Sequence, residues 1–256
     1  MRAPVDTIAA PPFPPDLEWV NVAPLRMDKQ IGRPVLVEFW DFCRPNSLRT
    51  LPYLKAWHER YAPHGLRTIG IHTGAFPPSR DSALVRRAVE RLGIAWPVAI
   101  DTQLEVWDLY GNEGWPARYL WDAEQTLYSL HYGEGDYDVT EREIQELLGV
   151  ERELLEPLRP EDAPGARLPA QTADQPGAYS GPYEAGGVWA VVDGAGELRA
   201  NGRVVAVAGP GAVALIEHPR HTAGVLELEV GPGLEVLATC FTPGVAPDPR
   251  ARPGGG

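Results

Sequence analysis

The run Pro34–Trp40, PVLVEFW, sets the tightest limit on what this chain can fold into. It is short and almost continuously apolar, which reads as a buried strand. A helix follows it directly. Leu48, Leu51, Leu54, Trp57 and Tyr61 recur at spacings of three or four, which predicts a helix from Ser47 to Tyr61 with one apolar face. Asn46 and Ser47 are its candidate caps. Pro52 lies inside it, where the missing N–H predicts a kink. Leu66–Thr73 (LRTIGIHT) is the next strand, and Ser79–Gly93 the next helix, with Ser79 as cap, Leu84, Val85, Ala88 and Leu92 inward and Gly93 as the stop. AWPVAID gives a strand to Asp101, and Glu105–Tyr110 a short helix. Ala117–Asp122 and Thr126–Gly133 form two strands around a short turn. Thr140–Leu148 closes the series, with Thr140 and Glu143 spaced as a capping box. The order β-α-β-α-β-α-β-β-α predicts an α/β fold, a central mixed sheet flanked by helices.

After Leu158 the texture changes. Residues 159–187 are rich in Pro, Gly, Ala and Asp and read as a linker. From Val188 short β-runs recur about every ten residues, separated by Gly, which predicts a small all-β domain, sandwich or meander, over 188–245. Residues 246–256 read as a disordered tail. Residues 1–158 form the α/β domain, led in by a Pro-rich arm (APPFPPDLEWV) expected to lie extended on its surface.

A net charge of −12 argues against nucleic-acid and anionic-membrane partners, both of which need a basic face. Eleven Asp/Glu and three Arg fall between Glu134 and Asp162, so much of the imbalance is one local segment, read as a solvated helix face and linker. No apolar run approaches the roughly 20 residues that span a bilayer, and Met1–Pro15 has no apolar stretch typical of a secretory signal. The chain is therefore expected to be cytoplasmic, or a mature form whose leader is missing. Cys43 and Cys240 lie far apart in sequence, so they make neither a disulfide framework nor a zinc-ligand set. His218 and His221 in EHPRH have the spacing of a ligand pair, but Pro219 and the strand-end setting favour a surface turn. No metal and no cofactor is expected. His72 is expected to be a core histidine with its bonds satisfied.

A thiol at a strand-to-helix turn feels the positive end of the helix dipole, which lowers its pKa, and a second cysteine three residues on resolves the mixed disulfide. RPVLVEFWDFCRPNSLRTLPYL resembles the active-site region of thioredoxin-like proteins, in particular the TlpA, ResA and DipZ type with its AhpC/TSA-redoxin-like relatives. GNEGWPARYLWDAEQTLYSLHYGEGDY resembles that family's second signature, a Gly-x-Pro segment before a strand ending in Asp and a hairpin. LRTIGIHT resembles the strand after the first helix. The resemblance covers about Asp16 to Leu148 and implies a thioredoxin-like fold. Family members read F-W-x-x-x-C-x-x-C, with a proline five residues after the second cysteine. With Phe39–Trp40 and Pro52 both fixed, the family's cysteines fall on Arg44 and Ser47, and Cys43 stands just before the first. Asn46 matches a residue of the DipZ-type motif, which favours this register. A second register makes Cys43 the nucleophile at the cost of a deletion before it and an insertion after it.

In either register the resolving position holds Ser47 or Asn46, so a dithiol relay is not expected. A one-thiol reaction at Cys43 remains open, as does the reading of Cys43 as a small semi-buried loop residue. Arg44 near the helix start is expected either to lower the Cys43 pKa or to bind an anion. By the resemblance, Glu38 is the buried acid beneath the thiols, here expected to meet Arg44 or a polar ligand, and Pro116 is the cis-proline facing the cysteine turn. Trp115 with Trp40 and Phe42 is the candidate aromatic groove, although core packing is the favoured role for Trp40. Three functions stay in play. The first is a ligand-binding thioredoxin-fold protein with a degenerate CxxC, taking a peptide, thiol or small molecule. The second is a monothiol antioxidant or thiol-disulfide oxidoreductase, and the third a scaffold. The oligomeric state is not legible. DipZ-type proteins carry a β-sandwich resembling carbohydrate-binding modules after this domain, and GGVWAVVDGAGELRANG is compatible with one, without implying sugar binding.

Overall fold

The computed structural model describes residues 8–247. These fall into two compact units, one up to Leu155 and one from Glu156. The first contains β1 (Glu18–Val20), β2 (Val35–Trp40), α1 (Pro45–Tyr61), β3 (Arg67–His72), α2 (Ser82–Arg91), β4 (Val98–Ile100), α3 (Glu105–Leu109), β5 (Ala117–Trp121), β6 (Leu127–Tyr132) and α4 (Tyr137–Leu148). Its six-stranded sheet has the order β1-β4-β3-β2-β5-β6. β2, β3 and β4 are parallel, and β5, β6 and β1 are added antiparallel. All six residues of β2 are buried, as suits a central strand.

The two faces of this sheet differ in chemistry. Val35, Val37, Phe39, Ile69, Ile71, Ala117, Tyr119 and Trp121 point to one side and share a wholly apolar cluster with Phe13, Trp19 and Tyr110. The opposite face carries Glu38, Trp40, Thr68, His72 and Arg118, and all are buried. Alternation along each strand produces this division, because every second residue changes side.

Several element starts differ from the expectation. α1 begins at Pro45, two residues early, because the fixed φ of proline suits the first helical position and its missing N–H costs nothing there. The helix continues through Pro52. Ser47 lies inside it, and its Oγ accepts the Asp41 N–H at 3.2 Å. Ser79 does not cap α2. Asp81 does, accepting the N–H groups of Ala83 at 2.7 Å and Leu84 at 3.1 Å. The Thr140–Glu143 capping box does not form, since α4 starts at Tyr137 and Thr140 is a buried residue of its first turn. The Pro-rich arm is more than a surface strap. The Ala10 N–H donates to the Gln125 carbonyl, Phe13 and Trp19 are buried, and Glu18–Val20 pairs with β4 as an edge strand. No helix among the described residues is long and apolar enough to cross a membrane.

The second unit is all β. It contains β7 (Gln175–Pro176), β8 (Gly181–Gly194), β9 (Gly196–Ala200), β10 (Arg203–Val207), β11 (Gly211–Leu226), β12 (Leu228–Val230) and β13 (Leu234–Thr242). One sheet has the order β11-β8-β13-β7 and the other β10-β9-β12. Val188, Ala190 and Val192 of β8, Leu198 and Ala200 of β9 and Leu215 and Leu226 of β11 share one core, which makes the unit a sandwich. β7 and the first half of β8 lie inside the stretch expected as linker. Of the expected tail, Ala246 is tied by its N–H to the Arg167 carbonyl, and residues 248–256 lie outside the described residues. β11 swells between Glu217 and Thr222, which places His218 against the Tyr183 hydroxyl at 2.9 Å and His221 at 3.7 Å from Glu184. No group of three potential metal ligands occurs among the described residues.

Phe39 is fully buried, with its ring edge-on to Trp107, Tyr110 and Tyr119. Phe39→Ala should therefore destabilise the first unit by about 3–5 kcal/mol. Urea unfolding followed by tryptophan fluorescence reads that unit, since seven of the eight tryptophans precede Leu155.

Candidate active-site groove

β2 delivers the chain into the turn Asp41–Arg44, and α1 leaves from it. The Asp41 carboxylate organises this turn. One oxygen accepts the Cys43 N–H at 2.7 Å, and the other accepts the Ala75 N–H at 2.7 Å and the Ser79 hydroxyl at 3.0 Å. Ser79 in turn accepts the Phe76 N–H at 3.1 Å. The turn is thereby tied to the loop after β3. Gly74 is required in that loop, because a Cβ there would stand 2.3 Å from the Ser79 carbonyl oxygen. Burial pushes the Asp41 carboxyl up to about 6, against the pull of its three donors and of Arg44. His72 accepts the Phe42 N–H at 3.4 Å and lies 3.8 Å from Asp41. Burial lowers its pKa to about 3, so it is neutral and the contact is not an ion pair. Its Nδ1 has no hydrogen-bond partner among the described residues, so only one of its ring nitrogens is bonded there.

The opposite wall is the loop before β5. The Trp115–Pro116 peptide is cis. The Trp115 indole N–H is shared between the Thr73 carbonyl at 3.0 Å and the Thr73 hydroxyl at 2.8 Å, and its ring packs on Trp107 with centroids 4.3 Å apart. The Arg44 guanidinium bridges the two walls, standing 5.0 Å from the Trp115 centroid and 5.3 Å from that of Phe76.

The residues singled out in the sequence divide here. Arg44 is half-buried at the start of α1, Asn46 is exposed, and Ser47 is buried. Cys43 is 0 % exposed. Trp40 and Phe42 do not line the groove, since both are buried, edge-on to and stacked on His72 respectively. The half-buried aromatic residues beside Arg44 are Trp115 and Phe76, with Trp107 packed on Trp115. Phe76 and Trp107 have no local sequence signal, because they come from a loop and a short helix joined to the turn only by the fold. Asp41 has one, since it and Glu38 are the two acids in the otherwise apolar stretch VEFWDF.

Glu38 does not meet Arg44. It stands in register with Arg118 across β2 and β5, and Arg118 with His131 across β5 and β6. The Arg118 guanidinium donates to the Gly135 carbonyl at 2.6 Å and lies over the rings of Tyr137 and Trp57. Neither Glu38 oxygen has a hydrogen-bond partner among the described residues. Burial pushes the Glu38 carboxyl up to about 8, with Arg118 pulling it down, so it is protonated at neutral pH. The pKa of His131 falls to about 4, through burial first and the charge of Arg118 second.

A helix-flanked mixed sheet, a strand-to-helix turn and a facing cis-proline loop define a thioredoxin-like protein. No family model matches the chain. It is 33% identical over 162 residues to the protein DipZ of Mycobacterium tuberculosis, a match covering 60% of this chain and 22% of the relative. It thus spans about a fifth of the length of that relative. It is 26% identical over 126 residues to the thiol-disulfide oxidoreductase ResA of Halalkalibacterium halodurans, covering 49% of this chain and 64% of ResA. A solved thioredoxin-like superfamily protein superposes with a TM-score of 0.52 at 19% identity, over 57% of this chain and 99% of the other. The chain thus has a thioredoxin-like fold, and over that part its sequence is similar to DipZ and to the thiol-disulfide oxidoreductase ResA.

Because the folded-state pKa of Glu38 lies above its ordinary value of 4.5, the folded chain binds the extra proton between about 4.5 and 8. Stability tied to this group is complete below that window and declines as pH rises through it. Glu38→Gln should flatten the decline and raise the melting temperature at pH 8 relative to the parent, as read in thermal melts at pH 5 and pH 8.

Proposed function

We propose that this chain is a thioredoxin-fold binding protein of the TlpA/DipZ-like group. Its former active-site groove takes a peptide, thiol or small ligand between the Arg44–Ser47 turn and Trp115–Pro116, and its redox chemistry is at most that of one thiol. The observation carrying this reading is the state of the turn. Cys43 is enclosed, with its N–H held by Asp41, while Arg44 occupies the position between the aromatic walls. This supports the register in which Arg44 and Ser47 stand where the family has its cysteines. Ser47 spends its hydroxyl on the Asp41 backbone, and an alcohol does not resolve a mixed disulfide. Cys240 is in the other unit. The groove persists without the thiols because its walls are held by Asp41 and by the Trp115–Thr73 bonds, neither of which involves sulfur.

Insulin reduction in the presence of dithiothreitol should run close to the uncatalysed rate and be unchanged by Cys43→Ser. Iodoacetamide should label Cys43 slowly in the folded chain and readily in urea. A robust insulin rate that vanishes in Cys43→Ser would establish the one-thiol enzyme instead.

A further inference from the structure

Arg44 is an unusual cation for this chain. The net charge is −12, so carboxylates are abundant, yet the Arg44 guanidinium has no ion pair and no hydrogen bond among the described residues. Its Nε is buried without a partner. The acid that feels its charge, Asp41, has already committed both oxygens to Cys43, Ala75 and Ser79. What holds Arg44 is the pair of aromatic rings, Phe76 and Trp115. Attraction to a ring face acts on the charge of the guanidinium and uses none of its N–H groups, which lie in its plane. Trp115 is itself fixed by Thr73 and Trp107. The result is a positioned guanidinium whose hydrogen-bonding edge is unused, framed by half-buried aromatic surface from Phe76, Trp107 and Trp115.

A planar guanidinium edge is matched by a planar two-oxygen anion. We infer that the Arg44 side of the groove takes a ligand bearing a carboxylate next to a flat apolar group, with Arg44 holding the carboxylate and Trp107, Trp115 and Phe76 the apolar part. A singly charged acid suits the strongly negative chain better than a phosphate, whose second charge adds repulsion. The carboxylate can be that of a free small acid or of a peptide C-terminus. This inference rests on the reading that the former groove takes a ligand.

The test is calorimetric titration of the full chain with hippurate, its neutral amide hippuramide, inorganic phosphate, and acetyl-Ala-Phe as free acid and as amide. Hippurate should bind at least about tenfold more tightly than hippuramide, the scale of one charge-assisted bidentate contact. The free-acid peptide should exceed its amide by a similar factor, and whichever acid is tighter identifies the source. Arg44→Gln should weaken both acids to the level of their amides and leave the amides unchanged. Arg44→Lys, which keeps the charge and loses the fork, should fall between, and it serves if Arg44→Gln fails to fold by circular dichroism. Acid and amide binding equally, phosphate binding more tightly than hippurate, or an acid preference that survives Arg44→Gln would each overturn the inference. Equal binding of acid and amide that is lost in Trp115→Ala would leave the binding groove standing while this inference fails. Absence of binding by every probe would overturn both.

Discussion

One buried carboxylate holds the groove together. Asp41 ends β2 and takes hydrogen from the turn that begins α1 and from the loop that follows β3. Two segments distant in sequence, the turn at 41–43 and the loop at 75–79, meet on two oxygen atoms. Without them the turn would have to satisfy the Cys43 N–H elsewhere, and the loop carrying Phe76 would lose its tie to the sheet. Gly74 and Ser79 fit the same arrangement, one by having no side chain where the backbone closes in and the other by bonding both sides. The enclosure of Cys43 follows from this closure.

The sheet beneath obeys a different constraint. Its apolar face is continuous and packs the aromatic residues of the N-terminal arm, α3 and β5. Its other face places Glu38, Arg118 and His131 side by side across three strands. Burial moves Glu38 and His131 toward their neutral forms, and the Arg118 charge is shared with the Gly135 carbonyl and two aromatic rings. Removing one member of such a row leaves the others buried with fewer partners, which is the costly case for interior polar groups. The row lies under α1 and α4, so it supports the helix whose first residues form the groove.

The order of elements is legible in the sequence because buried strands and one-sided helices leave strong periodic patterns. β1 is not, since Pro11, Pro12, Pro14 and Pro15 mask the short apolar run that follows. Helix starts mislead for a local reason. Thr140 and Ser79 have the chemistry of caps, but a hydroxyl serves whichever partner the fold brings to it, and Ser79 is brought to Asp41. The motif around Cys43 identifies the turn from sequence alone, and it holds one cysteine. The partners of its residues are not. Glu38 and Arg118 are eighty positions apart and meet only through the β2–β5 register, and Arg44 meets Phe76 and Trp115 only once the loops have folded.

Arg44 has a consequence that concerns kinetics more than structure. It is a short-range cation inside a long-range negative field. An anionic molecule is repelled by the net charge of the chain out to the Debye length of about 8–10 Å, beyond which salt screens it, and is attracted by Arg44 only near contact. Added salt screens the first effect more than the second, because the half-buried guanidinium is sheltered from ions. Ionic strength then acts oppositely on arrival and on departure, speeding encounters while loosening the hold. On the proposed reading, such a groove selects ligands at contact and takes no benefit from electrostatic guidance on the way in.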